Sequence, residues 1–264
     1  MGIIANPEVP ELFQYTRPEL PDDCIQLISP SQIDKFFQYP RNWYEENMLG
    51  NKPSFQGSTS TVTGTICHYI YEQNTLGKTV TREWINKQLD DYLIVKPNPD
   101  VDADRVKLDY PIVASAVMNE YVIPANQKGG LIECEKPVVA KVMDGIYIAG
   151  TCDRIEGDCV VDYKTVSTKP NESAIPFGYK IQMLAYAYAL KQLGYEINRI
   201  RLVYGVKPTK TIPARCIVVT ESIDYAAEKL INDTLKLMGE SVLAVKEHPE
   251  LAYLIFKSMD LKEK

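Results

Sequence analysis

Residues 150–164, GTCDRIEGDCVVDYK, constrain the fold of this chain more than any other stretch. They read as two short strands joined at Gly157-Asp158, a two-residue turn of the Gly-X kind between residues that favour extended backbone. That turn sets Asp153 across from Asp162. Side chains alternate along a strand, so Val160, Asp162 and Lys164 share one face and Cys159, Val161 and Tyr163 the other. Two carboxylates and an ammonium then meet on one patch of sheet. The run Cys159-Val160-Val161 is too apolar for a hairpin that merely faces water. It indicates a buried strand whose end carries charge, and charge is seldom buried without a partner or a metal.

The rest of the chain arranges itself around this hairpin. Residues 1–28 are rich in Pro and acids and read as an irregular arm. Ser29-Pro30-Ser31-Gln32 opens a helix, with Ser29 as cap, Pro30 at the first helical position, and Ile33, Phe36 and Phe37 at helical spacing. Pro40 ends or kinks that helix, and Asn42-Trp43-Tyr44 resumes it. Residues 50–63 read as a polar Ser/Thr-rich loop. A helix from about Gly64 to Leu76 stops at Gly77 and carries His68 and Glu72 on one face. Helices are expected at about 81–95 and 103–122, separated by Lys96-Pro97-Asn98-Pro99. From Leu131 the period changes to two: strands at 131–142, 146–155 and 159–164, with Met143-Asp144-Gly145 as the first turn. A polar loop (165–176), a helix (177–193), two strands (199–206 and 215–220), a long helix (222–246) and a mixed tail follow. Helices, then a meander, then helix, strand, strand, helix implies an α/β fold with a mixed sheet flanked by helices. The whole is expected to be one domain, with a helical region at 29–125 carrying His68 and the sheet and helices of a core at 131–246.

Charge and composition narrow the function. At 264 residues the chain can bury a substantial core. Its net charge of −6 gives no general electrostatic pull toward nucleic acid, so such binding needs a local basic patch or metals that neutralise phosphate. No apolar run reaches the roughly 18 residues that span a membrane. The N-terminus lacks the charged and apolar regions of a secretion signal, and Asn6 does not suit a myristoylation site. The six cysteines (24, 67, 134, 152, 159 and 216) are scattered without a C-x-x-C pair. They read as reduced, mostly buried thiols of a cytoplasmic protein.

Asp153, Asp162 and a backbone carbonyl supply the oxygen ligands that Mg²⁺ or Mn²⁺ prefers, and Lys164 beside them can orient a water. These parts suit hydrolysis of a phosphodiester. His68 adds an imidazole, which tilts the preference from Mg²⁺ toward Mn²⁺. Taken singly the parts say little. An Asp-x-Lys triplet arises by chance about once in a chain of this length, and its plainer reading is a surface salt bridge. His68 and Glu72 alone read as a satisfied pair on a helix surface. Gln182 and Tyr186 alone read as residues of a core helix.

Together, in order, they resemble a known family. Ser29-Pro30-Ser31-Gln32-Ile33 through Phe37-Gln38-Tyr39-Pro40-Arg41 is similar to an S-x-S-x-[IL]…F…C-P-[RK] helix. Gly64 to His68 resembles G-x-x-x-H, Gly150 to Asp153 matches G-x-x-D, Asp162 to Thr165 matches D-Y-K-T, and Gln182 to Tyr186 matches Q-x-x-x-Y. This set, over about residues 29–190, resembles the RecB-type nucleases of the PD-(D/E)XK superfamily, the branch of CRISPR adaptation and phage recombination exonucleases. The resemblance implies a restriction-endonuclease-like core. It implies that His68, Asp153, Asp162 and the carbonyl of Tyr163 ligate Mg²⁺ or Mn²⁺, with Lys164 positioning the attacking water. Gln182 and Tyr186 would hold the DNA strand, and Glu72 would stand behind His68. Glu133 and Glu135 are weaker candidates for a second metal. Some relatives carry an iron–sulfur cluster on four cysteines. Here Tyr39 occupies the first such position and the C-terminal third holds only Cys216, so no cluster is expected. No G-x-x-x-x-G-K-[ST] loop occurs, so no nucleotide is expected either. The implied activity is a metal-dependent DNA exonuclease of recombination, repair or phage DNA processing, in a bacterial or phage-infected host cell. It would act on DNA ends, alone, as a homo-oligomer, or with a single-strand annealing protein or helicase. An RNase, a structure-specific endonuclease and a non-catalytic DNA-binding subunit are the alternatives.

Overall fold

The Gly157 turn forms as expected: Gly157 takes a φ of 57°, in the left-handed region that favours glycine. Around it the computed structural model, which describes residues 9–14, 18–51 and 57–257, builds a six-stranded mixed sheet. Strand β3 (Ile146–Glu156) is the central piece. Along one side it pairs antiparallel with β2 (Ile132–Met143). Along the other it pairs antiparallel with β4 (Cys159–Val166) at 154–156 only, and parallel with β1 (Gln26–Ile28) at 146–148 only. Residues 149–153 of β3 have no strand partner on that side among the described residues. The sheet is therefore open at Asp153. Strand β4 continues past the opening in parallel with β5 (Arg199–Val206), which pairs antiparallel with β6 (Arg215–Ser222).

Helices cover both faces, as the alternation of apolar residues requires. On one face α1 (Ile33–Gln38), α2 (Pro40–Asn47), α7 (Phe177–Gln192) and α8 (Tyr225–Glu247) enclose Ile148, Ile155, Val160 and Leu202. On the other, α3 (Thr59–Thr75), α4 (Arg82–Val95) and α5 (Ala103–Val117) enclose Cys159, Val161, Tyr163 and Val203. After α5 the chain runs on through a π-helical segment (Met118–Val122) into α6 (Ile123–Gln127). Thus the two faces of the Cys159-Val160-Val161 run feed two separate cores, which is why the run is apolar throughout.

Several boundaries differ from expectation. The arm at 1–28 is not wholly irregular: Glu11–Phe13 form a 3₁₀ turn and Gln26–Ile28 form β1. Residues 1–8 and 15–17 of the arm lie outside the described residues. Helix α3 starts five residues before Gly64, because Ser58 caps it by accepting from Thr61 N (3.3 Å). Thr63 and Thr65 then return their hydroxyls to Thr59 O (2.7 Å) and Thr61 O (3.1 Å), so hydroxyl-rich residues that read as loop are held as helix. Of the expected loop 50–63, residues 52–56 lie outside the described residues. Proline 40 begins α2 after a break at Tyr39, as its missing N–H requires. The tail adds to the core: Phe256 is buried against Trp43 and stacks on Tyr44 at 4.9 Å. Three of the six cysteines are buried, Cys67, Cys152 and Cys159, fewer than expected. No helix among the described residues is long and apolar enough to cross a membrane.

Candidate active site

The opening in the sheet is where the charged residues gather. Beyond Arg154 and Val161 strands β3 and β4 diverge, and Asp153 Oδ2 spans the gap by accepting from Tyr163 N (3.0 Å). On the face of α7 toward the site, Tyr186 lies against Gly150. A Cβ at Gly150 would stand 3.1 Å from Tyr186 Oη and 3.2 Å from Pro30 Cδ, so glycine is what lets α7 and the start of α1 approach the open strand.

Helix α3 delivers His68. Its Nε2 lies 2.9 Å from the carbonyl of Tyr163 and its Nδ1 3.4 Å from Asp153 Oδ2. A carbonyl only accepts, so Nε2 must carry a proton. In the neutral ring Nδ1 is then a bare lone pair facing a carboxylate oxygen. Two lone pairs so placed call for a proton or a cation between them. Histidines that bind metals commonly give their other ring N–H to a carbonyl in this way.

Glu135 completes the group. Donor atoms of His68, Glu135 and Asp153 lie within 4.8 Å of one another. Ligands on opposite sides of an ion with bonds of about 2.1 Å stand about 4 Å apart, so a small contraction closes the set on a cation. Among the described residues Glu135 is the only one other than glycine with a positive φ, 45°. Cys134 pairs with Arg154 and Lys136 with Cys152, and the intervening pair, Glu135 opposite Asp153, is missing from the ladder. Burial, then Asp153 and Glu72, push the Glu135 carboxyl up to about 8. A site that resists its own negative charge in this way fits a divalent cation. The fit rests on these donors.

Asp162 and Lys164 stand beside the group. Lys164 Nζ lies 2.7 Å from Asp162 Oδ2, and Asp162 Oδ1 accepts from Gln182 Nε2 (3.2 Å). Burial raises the Asp162 carboxyl, Lys164 works against it, and Asp153 adds to the rise. Burial lowers the Lys164 ammonium, but the carboxylates of Asp162 and Asp153 outweigh it and hold the proton on. His68, Glu135, Asp153 and Lys164, with Thr61 and Tyr69, line a cleft of about 560 Å³.

The sequence assignments fall out unevenly. His68, Asp153, Asp162 and Lys164 are brought together. The Tyr163 carbonyl, expected as a ligand, instead holds the proton of His68 Nε2. Asp162 lies outside the three-donor group, and its oxygens face Lys164 and Gln182. Gln182 and Tyr186, expected to hold a DNA strand, are turned inward: Gln182 binds Asp162, and Tyr186 is only 7% exposed. Glu72 lines the cleft, accepts from Gln73 (3.4 Å) and adds to the rise of the Glu135 carboxyl. Glu133 points away, to Lys136 and Tyr195 at 2.7 Å each. Sequence reasoning also missed Arg154. It is fully buried and binds Glu156 (2.6 Å), Thr75 (2.7 Å) and Asn126 (2.8 Å), fastening β3 to α3 and α6 next to Asp153. An arginine inside an apolar strand pattern was the available signal.

An open mixed sheet thus carries an Asp–Asp–Lys cluster at its fork and a histidine from a flanking helix. The chain belongs to the PD-(D/E)XK nuclease superfamily, whose family model matches residues 27–251. Its fold is similar to the crystal structure of a putative exonuclease from Eubacterium rectale, at a TM-score of 0.55 and 14% identity, covering 84% of this chain and 82% of that one. The crystal structure of SSO0001 overlaps at a TM-score of 0.38 and 15% identity, over 83% and 79% of the two chains. No curated protein matches the chain.

Proposed function

We propose that this protein is a divalent-metal-dependent deoxyribonuclease that hydrolyses phosphodiester bonds from DNA ends, in recombination, repair or phage DNA processing in the cytoplasm. The observation that carries the reading is the convergence of donor atoms of His68, Glu135 and Asp153 within 4.8 Å, with Lys164, paired to the buried Asp162, lining the same cleft. Mg²⁺ or Mn²⁺ bound there would act as a Lewis acid toward a phosphate and lower the pKa of a water. His68, Glu135 and Asp153 would hold the ion, and Asp162 would join them as its hold on Lys164 relaxes. Tyr163 fixes the ring of His68 through its carbonyl and the carboxylate of Asp153 through its N–H, so one residue sets two ligands. Lys164, kept protonated, orients a water and offsets charge that builds on the phosphate. Gln182 holds Asp162 in place.

The exonuclease preference draws on the resemblance to end-resecting nucleases and on the neighbour of the same fold. The test is cleavage of end-labelled linear DNA, against a closed circle of the same sequence and a matched RNA, with Mn²⁺, Mg²⁺ or EDTA. Metal-dependent loss of the linear DNA alone is expected. Cutting of the circle would make the protein an endonuclease. Cutting of the RNA alone would make it a ribonuclease. Metal-stabilised binding without cutting would make it a DNA-binding subunit.

A further inference from the structure

The site as described contains a conflict. Lys164 is held by Asp162 Oδ2 at 2.7 Å, yet that carboxylate is also an oxygen donor beside a cation site. Asp162 has two oxygens, and Gln182 already occupies Oδ1 (3.2 Å). A cation that draws on Asp162 therefore weakens its grip on Lys164, and the cation's own charge repels the ammonium. A lysine stem has four rotatable bonds and up to about 2 kcal/mol of rotamer entropy to regain. Something other than a carboxylate must keep Lys164 in place.

That role falls to α7. Residues 179, 182 and 186 lie at i, i+3 and i+7 and so share one helix face. Gln182 reaches Asp162, Tyr186 reaches Gly150, and Lys164 Nζ lies 5.3 Å from the centroid of the Tyr179 ring. This is within the roughly 6 Å at which an aromatic face attracts an ammonium. On the other side Tyr204 is the register partner of Lys164 in the parallel β4–β5 ladder, so the two side chains share a sheet face. Tyr204 is 1% exposed and its buried hydroxyl has no hydrogen-bond partner among the described residues. We propose that Tyr179 is the positioning residue for Lys164, holding the ammonium by its ring face while leaving the carboxylate of Asp162 to the metal. An aromatic face suits the task because it attracts an ammonium but is no ligand for Mg²⁺ or Mn²⁺, which take oxygen and nitrogen donors. Tyr204 walls the other flank.

The proposal rests on the nuclease reading, and its test has one arm that does not. In the metal-free protein, NMR of Lys164 should show ε-methylene protons shifted upfield by the ring of Tyr179. The shift should persist in Tyr179→Phe and vanish in Tyr179→Leu. In the cleavage assay, Tyr179→Phe should retain near-normal kcat. Replacing Tyr179 by phenylalanines of increasing fluorination, which keep the ring's shape but drain its face of negative charge, should lower kcat stepwise by about tenfold in all. KM and Mn²⁺ affinity should hold. Absence of the upfield shift, a flat kcat across the fluorinated series, or a Tyr179→Phe protein as slow as Tyr179→Leu would each overturn the proposal. The upfield shift in a protein that cuts no nucleic acid would instead overturn the nuclease reading and leave the placement of Lys164 standing.

Discussion

Replacing Glu135 by glutamine should make the metal-free protein more stable and shrink the stabilisation that Mn²⁺ gives it. Glu135 has its carboxyl pushed from an ordinary 4.5 up to about 8 by burial, Asp153 and Glu72. The folded state therefore binds a proton that the unfolded state gives up near 4.5. Below that pH both states are protonated and the shift contributes nothing. As pH rises toward 8 stability drains away, because the unfolded chain ionises freely and the folded one cannot. At full effect the difference is about 5 kcal/mol; the side chain keeps some contact with water, so about 2–3 kcal/mol is expected. Glu135→Gln removes the penalty. In EDTA at pH 8.5 its Tm should exceed wild type by roughly 5–10 °C for a chain of this size, and near pH 4.5 the two should coincide. Manganese should narrow the gap. An ion at a hundred times its Kd stabilises by about 2.7 kcal/mol, and tenfold weaker binding by the variant removes about 1.4 kcal/mol of that. Thermal unfolding at the two pH values, with and without Mn²⁺, reads both effects. A variant no more stable than wild type at pH 8.5 in EDTA would refute the burial argument. An unchanged Mn²⁺ shift would remove Glu135 from the ligand set.

Other expectations follow from single contacts. Gln182→Ala removes the donor to Asp162 Oδ1 and should lower kcat about tenfold with KM unchanged, measured by single-turnover and steady-state cleavage. Gly150→Val puts a side chain where even a Cβ would meet Tyr186 and Pro30 at 3.1–3.2 Å. It should cost about 1–3 kcal/mol, read by denaturant unfolding. Burial pushes the Cys67 thiol up to about 12, so at pH 8 iodoacetamide should leave Cys67 untouched in the folded protein and label it in denaturant, as mass spectrometry would show.

The residues at the fork were legible where local chemistry decides. A glycine turn and a two-residue period place Asp153, Asp162 and Lys164 together without tertiary information. Glu135 was legible only as a weaker candidate beside Glu133, and the strand period could not single it out, for a reason that can be counted. Reading back from the turn at Met143 and Ile146 sets Glu135 opposite Arg154. The structure has a bulge between Lys141 and Met143 that moves the register by one, setting Cys134 opposite Arg154 and Glu135 opposite Asp153. One extra residue reverses which side chains face the site, and no local signal announces it. Strand β1 was missed because its three residues are too few to show a period. Yet it matters, since by pairing only at 146–148 it helps leave β3 open at Asp153. The inward turn of Gln182 and Tyr186 was likewise decided by helix packing against Gly150, a long-range contact.

The most direct test of the account is single-turnover cleavage of linear DNA in saturating Mn²⁺ by wild type, Asp153→Ala and Lys164→Ala, each checked for wild-type circular dichroism. Asp153 bridges the fork and faces His68, and Lys164 is the protonated group in the cleft. The account predicts that both variants stay folded and lose cleavage by at least about a thousandfold. Full cleavage by either folded variant would contradict it and place the chemistry elsewhere in the molecule.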